Sequence, residues 1–282
     1  MKKQEIEGWK YYNHAAIPTT APHEKPNMKP LEDGSIWKMA GGKPLFARYC
    51  TNWDCKEETE WWYVIKDNPF DINKLKSKRR YEINKGIKNF SVEKIEPKKY
   101  ANNICKIAFN VWKTYPAYYR PNIAEQDYLN EIEHWCDVIV YGAFYRENSE
   151  LCGYAILKNN ESYLSFIQLK TLTEYEKYGI NFAIINQILE DYKLSEKFYI
   201  NDGTRNILHA TKFQDFLIKY FGFRKAYCKL NIVYKLPIKF LVKILKPFRK
   251  IVTNFGSIGK KVNSVFFMDE IAESCKRCNN DE

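Results

Sequence analysis

The feature that most constrains the fold of this chain is a long helical pattern between two short strand patterns. Residues 163–169 and 197–200 are rich in aromatic and aliphatic side chains, which is typical of short buried strands. Residues 174–192 place apolar side chains at helical spacing (Phe182, Ile185, Ile188 and Leu189). Two neighbouring strands joined by a helix run parallel, because a tight turn joins only antiparallel strands. The sequence therefore predicts one parallel βαβ crossover.

The segments around this crossover predict a mixed sheet. The other predicted elements of the core are strand 91–95, helices 97–114 and 124–135, strands 138–145 and 152–157, helix 206–220, and strands 224–228 and 230–234. We therefore expect an α/β (α+β) fold with a core at residues 91–236. A β-rich N-terminal extension (1–90) and a basic helical C-terminal tail (237–282) flank this core.

The N-terminal extension has three predicted parts. Residues 1–35 contain four prolines and little periodicity, so they predict an extended arm. Strands are expected at 36–39, 45–49 and 61–65, with a turn at Gly41-Gly42. From Asp71 a basic helix follows, with cations at Lys76, Lys78, Arg79, Arg80, Lys85 and Lys88. Two interpretations of residues 76–88 are open: a contact with tRNA or another phosphate-bearing ligand, and a solvated helix face.

Composition restricts the compartment and the partners. Lys and Arg number 45 against 34 Asp and Glu, a net charge of +11, which fits either an anionic partner or a solvated lysine-rich surface. The N-terminal residues lack the apolar core of a signal peptide, and no stretch has the ~18 apolar residues of a spanning helix. We expect reduced thiols and a cytoplasmic location, with the inner membrane face as the alternative. The lone pair Cys275 and Cys278 is expected to be plain thiols, and no metal site is expected.

The late segment Phe221-Gly222-Phe223, together with the element order, resembles the GNAT (N-acetyltransferase) superfamily over residues 91–236. Residues 76–95 resemble the segment that opens the acyltransferase domain of Fem-type peptidyltransferases, a GNAT-like branch that uses aminoacyl-tRNA. The chain is also similar to bacterial proteins associated with cell-surface polysaccharide. The resemblance implies acyl transfer from acyl-CoA to a small-molecule or glycan amine. The alternatives are an aminoacyl-tRNA-dependent transferase and a catalytically inactive binding module.

The resemblance also implies where the donor binds. In the family, the donor lies where two parallel strands separate, and its phosphates meet backbone N–H groups at the next helix N-terminus. The corresponding donor residues here are Gln168, Lys170, Lys177, Tyr178, Gly179, Ile180 and Asn181. The chain departs from the family pattern in two places. Glu176 stands where the phosphate loop has Arg or Gln, and Ile218 stands where many members have a Tyr general acid.

A polar cluster after the strand at 197–200 supplies the candidate catalytic residues. Asp202 and Arg205 follow the strand directly, and His209 comes about one helical turn later. A His deprotonates an ammonium near pH 7, Asp202 orients that base or binds the acceptor amine, and Arg205 binds an anionic substrate. The structural alternative makes Asp202 a helix cap, Arg205 its ion-pair partner and His209 a packing residue.

The tail opens with a basic amphipathic pattern. Residues 235–261 contain eight basic residues and no acidic one, and Lys235, Lys239, Lys243, Lys246 and Lys250 recur every three or four residues. Pro237 suits a helix start and Pro247 an end or kink. Such a helix either contacts an anionic membrane through residues 235–261 or packs its apolar side on the domain.

Overall fold

The structure, a computed structural model, describes residues 5–39, 42–207, 212–252, 254 and 256–277. Its strands are β1 (Glu5–Ile6), β2 (Trp9–Tyr12), β3 (Ala15–Pro18), β4 (Phe46–Thr51), β5 (Trp62–Lys66), β6 (Phe90–Ile95), β7 (Ile139–Tyr145), β8 (Glu150–Asn160), β9 (Tyr163–Thr171), β10 (Tyr199–Thr204), β11 (Arg224–Tyr227) and β12 (Lys229–Tyr234). Its α-helices are α1 (Lys29–Glu32), α2 (Ser77–Asn89), α3 (Ala101–Thr114), α4 (Glu125–Glu133), α5 (Thr173–Glu176), α6 (Ile180–Asp191), α7 (Lys212–Phe221), α8 (Leu236–Leu245), α9 (Arg249–Val252) and α10 (Gly256–Arg277).

The chain divides into two compact units. Unit 1 comprises Met1–Val64, Thr204–Lys212 and Lys225–Glu282, and unit 2 comprises Ile65–Gly203 and Phe213–Arg224. Strands β5 and β11 have residues in both units. Each unit is therefore assembled from segments that are distant in the sequence.

Unit 2 contains the predicted crossover. Its strands follow the order β10-β9-β8-β7-β6. Strands β6 to β9 pair antiparallel with their neighbours, whereas β10 pairs parallel with β9. The prediction that the strand after Tyr163 runs parallel to the strand after Lys197 is confirmed. The mixed α/β fold that rested on this crossover is confirmed with it.

Helices cover both faces of this sheet. Consecutive strand residues point to opposite faces. Val140 belongs to a core cluster with residues of α3 and α4, while the adjacent Tyr141 donates from its hydroxyl to Asp191 Oδ2 of α6 at 2.7 Å. Helices α3 and α4 therefore lie on one face, and α6 lies on the other.

The helix predicted at 174–192 is divided at Gly179. This residue has φ of +88°, a left-handed conformation that glycine adopts without steric cost, and it is the N-cap of α6. Of the helix predicted at 206–220, residues 206 and 207 are not helical, 208–211 lie outside the described residues and α7 runs from Lys212, while β10 continues through Thr204. Asp202 and Gly203 thus belong to a strand rather than to the expected turn. Gly203, with φ of +89°, donates its N–H to Asn201 Oδ1 at 2.8 Å.

Unit 1 contains a five-stranded sheet of order β1-β2-β3-β4-β12. The segment predicted to be an extended arm, 1–35, contains the paired strands β1 to β3, and Trp9 and Ala16 of these strands lie in a buried cluster. The strand expected at 36–39 is instead a 3₁₀ turn, Ser35–Lys38, that buries Ile36. Gly41 of the expected turn lies outside the described residues.

Strand β12 belongs to unit 1, although the sequence analysis placed it in the acyltransferase core. It pairs with β4 over six consecutive positions, from Lys229↔Thr51 to Tyr234↔Phe46. Asn231 Nδ2 also donates to Thr51 Oγ1 at 2.9 Å. These contacts join residues that no local pattern connects.

Helix α10 lies in the tail that was predicted to be helical, although the sequence analysis gave no bounds for it. Met268, Ile271, Ala272 and Cys275 of α10 are buried in one cluster with Phe46 of β4 and Leu230 of β12. Cys275 is buried, and Cys278 lies outside the described residues. Within the described ranges, no helix is both long and apolar enough to span a membrane.

Candidate active site

The parallel strands β9 and β10 separate after three paired positions. The register joins Tyr199 to Tyr163, Ile200 to Leu164 and Asn201 to Ser165. Beyond Ser165, β9 continues to Thr171, while β10 continues to Thr204 without pairing to it. Parallel strands that diverge expose unpaired backbone groups at their carboxyl ends, where open α/β sheets bind ligands.

Asp202 is the first residue of β10 after this divergence. Its carboxyl is partly buried, and loss of solvation raises its pKa to about 7, while a hydrogen bond with Gln214 acts in the opposite direction. A group with this pKa is about half ionised at neutral pH, which suits a general base.

Helix α7 carries Gln214, which hydrogen-bonds to this carboxyl, and several aromatic rings. Phe213, next to Gln214, lies with its ring centroid 5.5 Å from that of Phe166 on β9. Phe216 lies 4.9 Å from Phe182 of α6. These contacts join α7 to β9 and α6, and the burial of Asp202 disfavours the charged form of its carboxyl.

The other two predicted catalytic residues have different outcomes. Arg205 lies with its guanidinium 4.4 Å from the ring centroid of Trp62, and its Nη1 donates to the carbonyl oxygen of Glu60 at 2.6 Å. Burial lowers the pKa of Arg205. These contacts build unit 1, so Arg205 has a packing role that does not depend on an ion pair with Asp202. His209 lies outside the described residues.

Some backbone N–H groups of the predicted donor turn form hydrogen bonds within the turn itself. The backbone N–H groups of Tyr178 and Gly179 donate to the carbonyl oxygens of Tyr175 and Glu176, each at 3.0 Å. Asn181 Oδ1 accepts from Thr171 Oγ1 at 3.0 Å, and Ile180 is fully buried. Lys177 lies 4.9 Å over the ring of Tyr178. Two amides that were expected to face a phosphate are therefore already satisfied.

Helix α2 packs against this turn through a contact that the sequence analysis missed. A Cβ on Gly86 would lie 2.4 Å from the carbonyl oxygen of Gly179, and Asn89 Nδ2 donates to the carbonyl oxygen of Tyr178 at 3.1 Å. Only glycine allows two backbones to approach so closely. The predicted basic helix thus covers one side of the predicted phosphate turn.

Lys170, near the end of β9, is buried in an aromatic environment. Its ammonium lies 5.2 Å from the ring centroid of Trp112 and 3.4 Å from the hydroxyl oxygen of Tyr115, and the residue is 3% exposed. Burial lowers its pKa to about 8. The sequence analysis did not single out Trp112 and Tyr115. Their spacing of three residues near a helix end indicates that both side chains lie on one side of the helix. A charge at this depth is turned away from solvent, in contrast to the expected phosphate contact.

A second buried polar chain starts from Gln168, the other predicted donor residue on β9. Gln168 Oε1 accepts from the hydroxyl of Tyr154 at 3.1 Å, and the Tyr154 and Tyr128 hydroxyl oxygens are 3.4 Å apart. Burial raises the pKa of Tyr154, so this hydroxyl stays protonated. The chain holds Gln168 in a fixed orientation under α3 and α4.

Replacing Lys170 by Met is expected to increase stability at pH 7. A lysine pKa that falls from 10.5 to about 8 makes the folded state bind fewer protons than the unfolded state between these values. The lowered pKa of Lys170 therefore leaves the free energy of unfolding unchanged above pH 10.5. As the pH falls to about 8 it reduces this free energy by its full amount. Each pKa unit corresponds to about 1.4 kcal/mol, so we expect a gain of about 2 kcal/mol after the lost ring contacts are counted.

Chemical unfolding at pH 7 and pH 10 measures this effect, with Lys66→Met as the matched control. Lys66 has the same burial and a pKa lowered to about 8, but its Nζ donates to the carbonyl oxygen of Asn68 at 2.6 Å. Losing that hydrogen bond offsets the gain at position 66. A Lys170→Met protein that is less stable than the parent at both pH values would show that the ring contacts outweigh desolvation.

No group of three or more His, Cys, Asp or Glu side chains within the described part of the chain has the arrangement of a metal site.

Comparisons with known proteins place this geometry in a fold. No protein-family model matches the chain, and no curated protein matches it. The solved structure of FemX aligns over 87% of this chain and 88% of its own, with 7% identity and a TM-score of 0.54. A conserved protein of unknown function from Bacteroides thetaiotaomicron aligns over 82% and 84%, with 14% identity and a TM-score of 0.48.

A shorter match covers 36% of this chain and 73% of its own, with 22% identity and a TM-score of 0.28. It is the PaiA N-acetyltransferase from Thermoplasma acidophilum in complex with coenzyme A. At these sequence identities a structural similarity shows the fold alone. The match to FemX, which covers most of both chains, supports the fold assignment. The chain has a GNAT-like fold of the FemX kind.

Proposed function

We propose that this chain is an N-acyltransferase that moves an activated acyl group onto an amine. The observation that carries the proposal is the Asp202 carboxyl, which has a pKa of about 7 and stands where β9 and β10 separate. A carboxyl with an ordinary pKa near 4 is too weak a base for an ammonium at neutral pH.

The chemistry requires one proton acceptor and one positioned donor carbonyl. The carboxylate of Asp202 takes a proton from the acceptor ammonium, and the neutral amine attacks the carbonyl carbon of the donor. The new C–N bond forms as the C–S or C–O bond to the donor breaks, and the leaving group takes up a proton. Gln214 holds the carboxylate by a hydrogen bond, so it is a positioning residue.

Two donors remain in the proposal, acyl-CoA and aminoacyl-tRNA. The sequence resemblance favours acyl-CoA, with the phosphates near Tyr178 to Asn181. The contact between Gly86 and Gly179 favours aminoacyl-tRNA, because α2 covers one side of that turn and carries the basic residues of segment 76–88. A glycan amine in bacterial cell-surface polysaccharide is the proposed acceptor, on the sequence resemblance alone.

Transfer of a radiolabelled acyl group tests the proposal. The purified chain is incubated with a panel of amino sugars and with either labelled acetyl-CoA or labelled aminoacyl-tRNA, and labelled amide is separated from donor. We expect amide with one donor class only. Calorimetry with both donors distinguishes a binding module, which binds a ligand without turnover. If neither donor yields amide with any acceptor, the transferase proposal is wrong.

A pair of variants assigns the donor. Lys78→Gln with Lys85→Gln removes two charges from α2, and Lys106→Gln with Lys113→Gln removes two from exposed positions of α3. If tRNA contacts α2, the first pair weakens tRNA binding and lowers its salt dependence, whereas the second pair has little effect. Acyl-CoA binding at the turn is expected to be equal in both.

A further inference from the structure

The helices that open the tail present an apolar face that nothing in the described chain covers. Six large side chains between Leu236 and Ile251 are exposed: Leu236, Phe240, Leu241, Ile244, Phe248 and Ile251. Phe240 is 64% exposed and Ile244 is 62% exposed. The segment spans about 24 Å if it is treated as one helix of 16 residues. A contiguous apolar face of this length marks an interaction site.

The orientation of this face is fixed by ion pairs on the opposite side. Lys246 Nζ lies 2.7 Å from carboxylate oxygens of both Asp269 and Glu273, and Arg249 Nη1 lies 2.6 Å from Glu270 Oε1. All three carboxylates belong to α10. The half-buried Ile238, Val242 and Leu245 share this inner side. Ion pairs therefore join the start of the tail to α10, while the six outer apolar residues stay exposed.

Lysines line one edge of the exposed face. Lys239 and Lys243 are exposed one turn apart on α8 and neighbour Phe240 and Ile244 along the helix. The sequence has no acidic residue between 235 and 261, and three carboxylates of α10 pair with Lys246 and Arg249. The outer surface thus combines an apolar centre with a positive rim.

We propose that this surface, α8 to α9, docks on an anionic lipid bilayer with the helix axis in the plane of the interface. Apolar side chains enter the acyl boundary while lysines contact anionic headgroups, which is the arrangement of interfacial amphipathic helices. A second copy of the chain is a poorer occupant, because two surfaces of the same charge would face each other. The proposal stands apart from the proposed transferase activity, and its test does not use turnover.

Vesicle co-sedimentation of the full chain tests the docking surface. The probes are vesicles of phosphatidylcholine alone and of phosphatidylcholine with 30% phosphatidylglycerol, about one lipid in three. We expect binding to the anionic vesicles only, and a marked loss of binding between 0.05 and 0.5 M salt, roughly the range in which the Debye length falls from above 10 Å to a few Å. Failure to bind anionic vesicles at low salt would overturn the proposal.

Two paired variants separate the apolar and the charged parts. Lys239→Gln with Lys243→Gln is expected to weaken binding by about 30-fold, since each surface lysine adds about fivefold. The control is Lys106→Gln with Lys113→Gln, which removes the same charge from α3. Phe240→Ser with Ile244→Ser is expected to weaken binding by more than tenfold, and Tyr12→Ser, another exposed aromatic change, is the control.

Stability and association measurements complete the test. All substituted side chains are exposed, so melting temperatures should match the parent within about 2 °C. Equal vesicle binding by Phe240→Ser with Ile244→Ser and by the parent overturns the proposal. A parent that is dimeric in solution while this double variant is monomeric also overturns it, because the face is then a protein interface.

Discussion

Asp202→Asn is expected to lower the turnover of acyl transfer by about 10²-fold or more, the usual scale for a positioned acid–base group. The amide keeps the size and the hydrogen bond to Gln214 but cannot accept the proton of the acceptor ammonium. Because the Asp202 carboxyl has a pKa of about 7, we expect kcat/KM of the parent to rise with pH, with its midpoint near pH 7, and to level off above that pH. The variant is expected to lose this step.

Two further variants make the result specific. Asp215→Asn is the matched control, because Asp215 is an exposed aspartate on α7 beside Gln214 and has no part in the proposal. Gln214→Leu removes the hydrogen bond that lowers the Asp202 pKa, so the step in kcat/KM should move above pH 7. An unchanged profile in Asp202→Asn would remove this carboxyl from the mechanism.

Asp202→Asn is expected to raise the stability of the protein above neutral pH, although it lowers turnover. With a folded pKa of about 7 against an unfolded value near 3.8, the native state binds more protons between these values. The parent is therefore destabilised as pH rises from about 4 to about 7, and the Asn variant is not. Melting curves at pH 5 and pH 8 should show the variant gaining on the parent at pH 8.

Gly86→Ala is expected to destabilise the protein by about 2 kcal/mol or more. The new Cβ would lie 2.4 Å from the carbonyl oxygen of Gly179 and 2.9 Å from the N of Ala183, and neither backbone atom can rotate away. Overpacking of this kind costs about 3 kcal/mol, of which the better helix propensity of Ala returns about 1 kcal/mol. The melting temperature should fall by about 4–8 °C.

The matched control for this change is Asn84→Ala, at an exposed position of the same helix. It also introduces Ala into α2, but at an exposed position, so its effect should stay within about 0.5 kcal/mol. Donor binding should fall in Gly86→Ala alone, because α2 must move away from the turn at Gly179. Equal stability of the two variants would mean that α2 is only loosely packed on α6.

Local patterns predicted those elements whose neighbours in space are also neighbours in sequence. The crossover from β9 through α6 to β10 could be predicted from the apolar spacing. The helix returns the chain to the end of the sheet where β9 began, so β10 runs parallel to β9. Asp202 could be singled out because it directly follows a buried strand. The raised pKa of Asp202 could not be predicted, because it depends on the burial of the carboxyl in the folded chain.

The remaining features depend on contacts between distant residues. Gly86 lies mid-helix among lysines, and nothing local shows that Gly179 approaches it. Lys170 was expected at a phosphate, but Trp112 and Tyr115 of another segment enclose it. Strand β12 has the pattern of any short strand, and only the six-residue register with β4 decides which sheet it joins.

The pairing of β4 with β12 also sets an order of events during synthesis on the ribosome. Thr51 and its partner Asn231 are separated by 180 positions, so β4 leaves the ribosome long before the strand that covers its edge. During that interval β4 has only β3 to pair with, and its free edge is a template for pairing with other chains. The crossover of unit 2, whose three elements lie within about 40 consecutive residues, closes far smaller loops and completes earlier. The nascent chain is therefore most prone to aggregate through β4 until residue 234 has emerged.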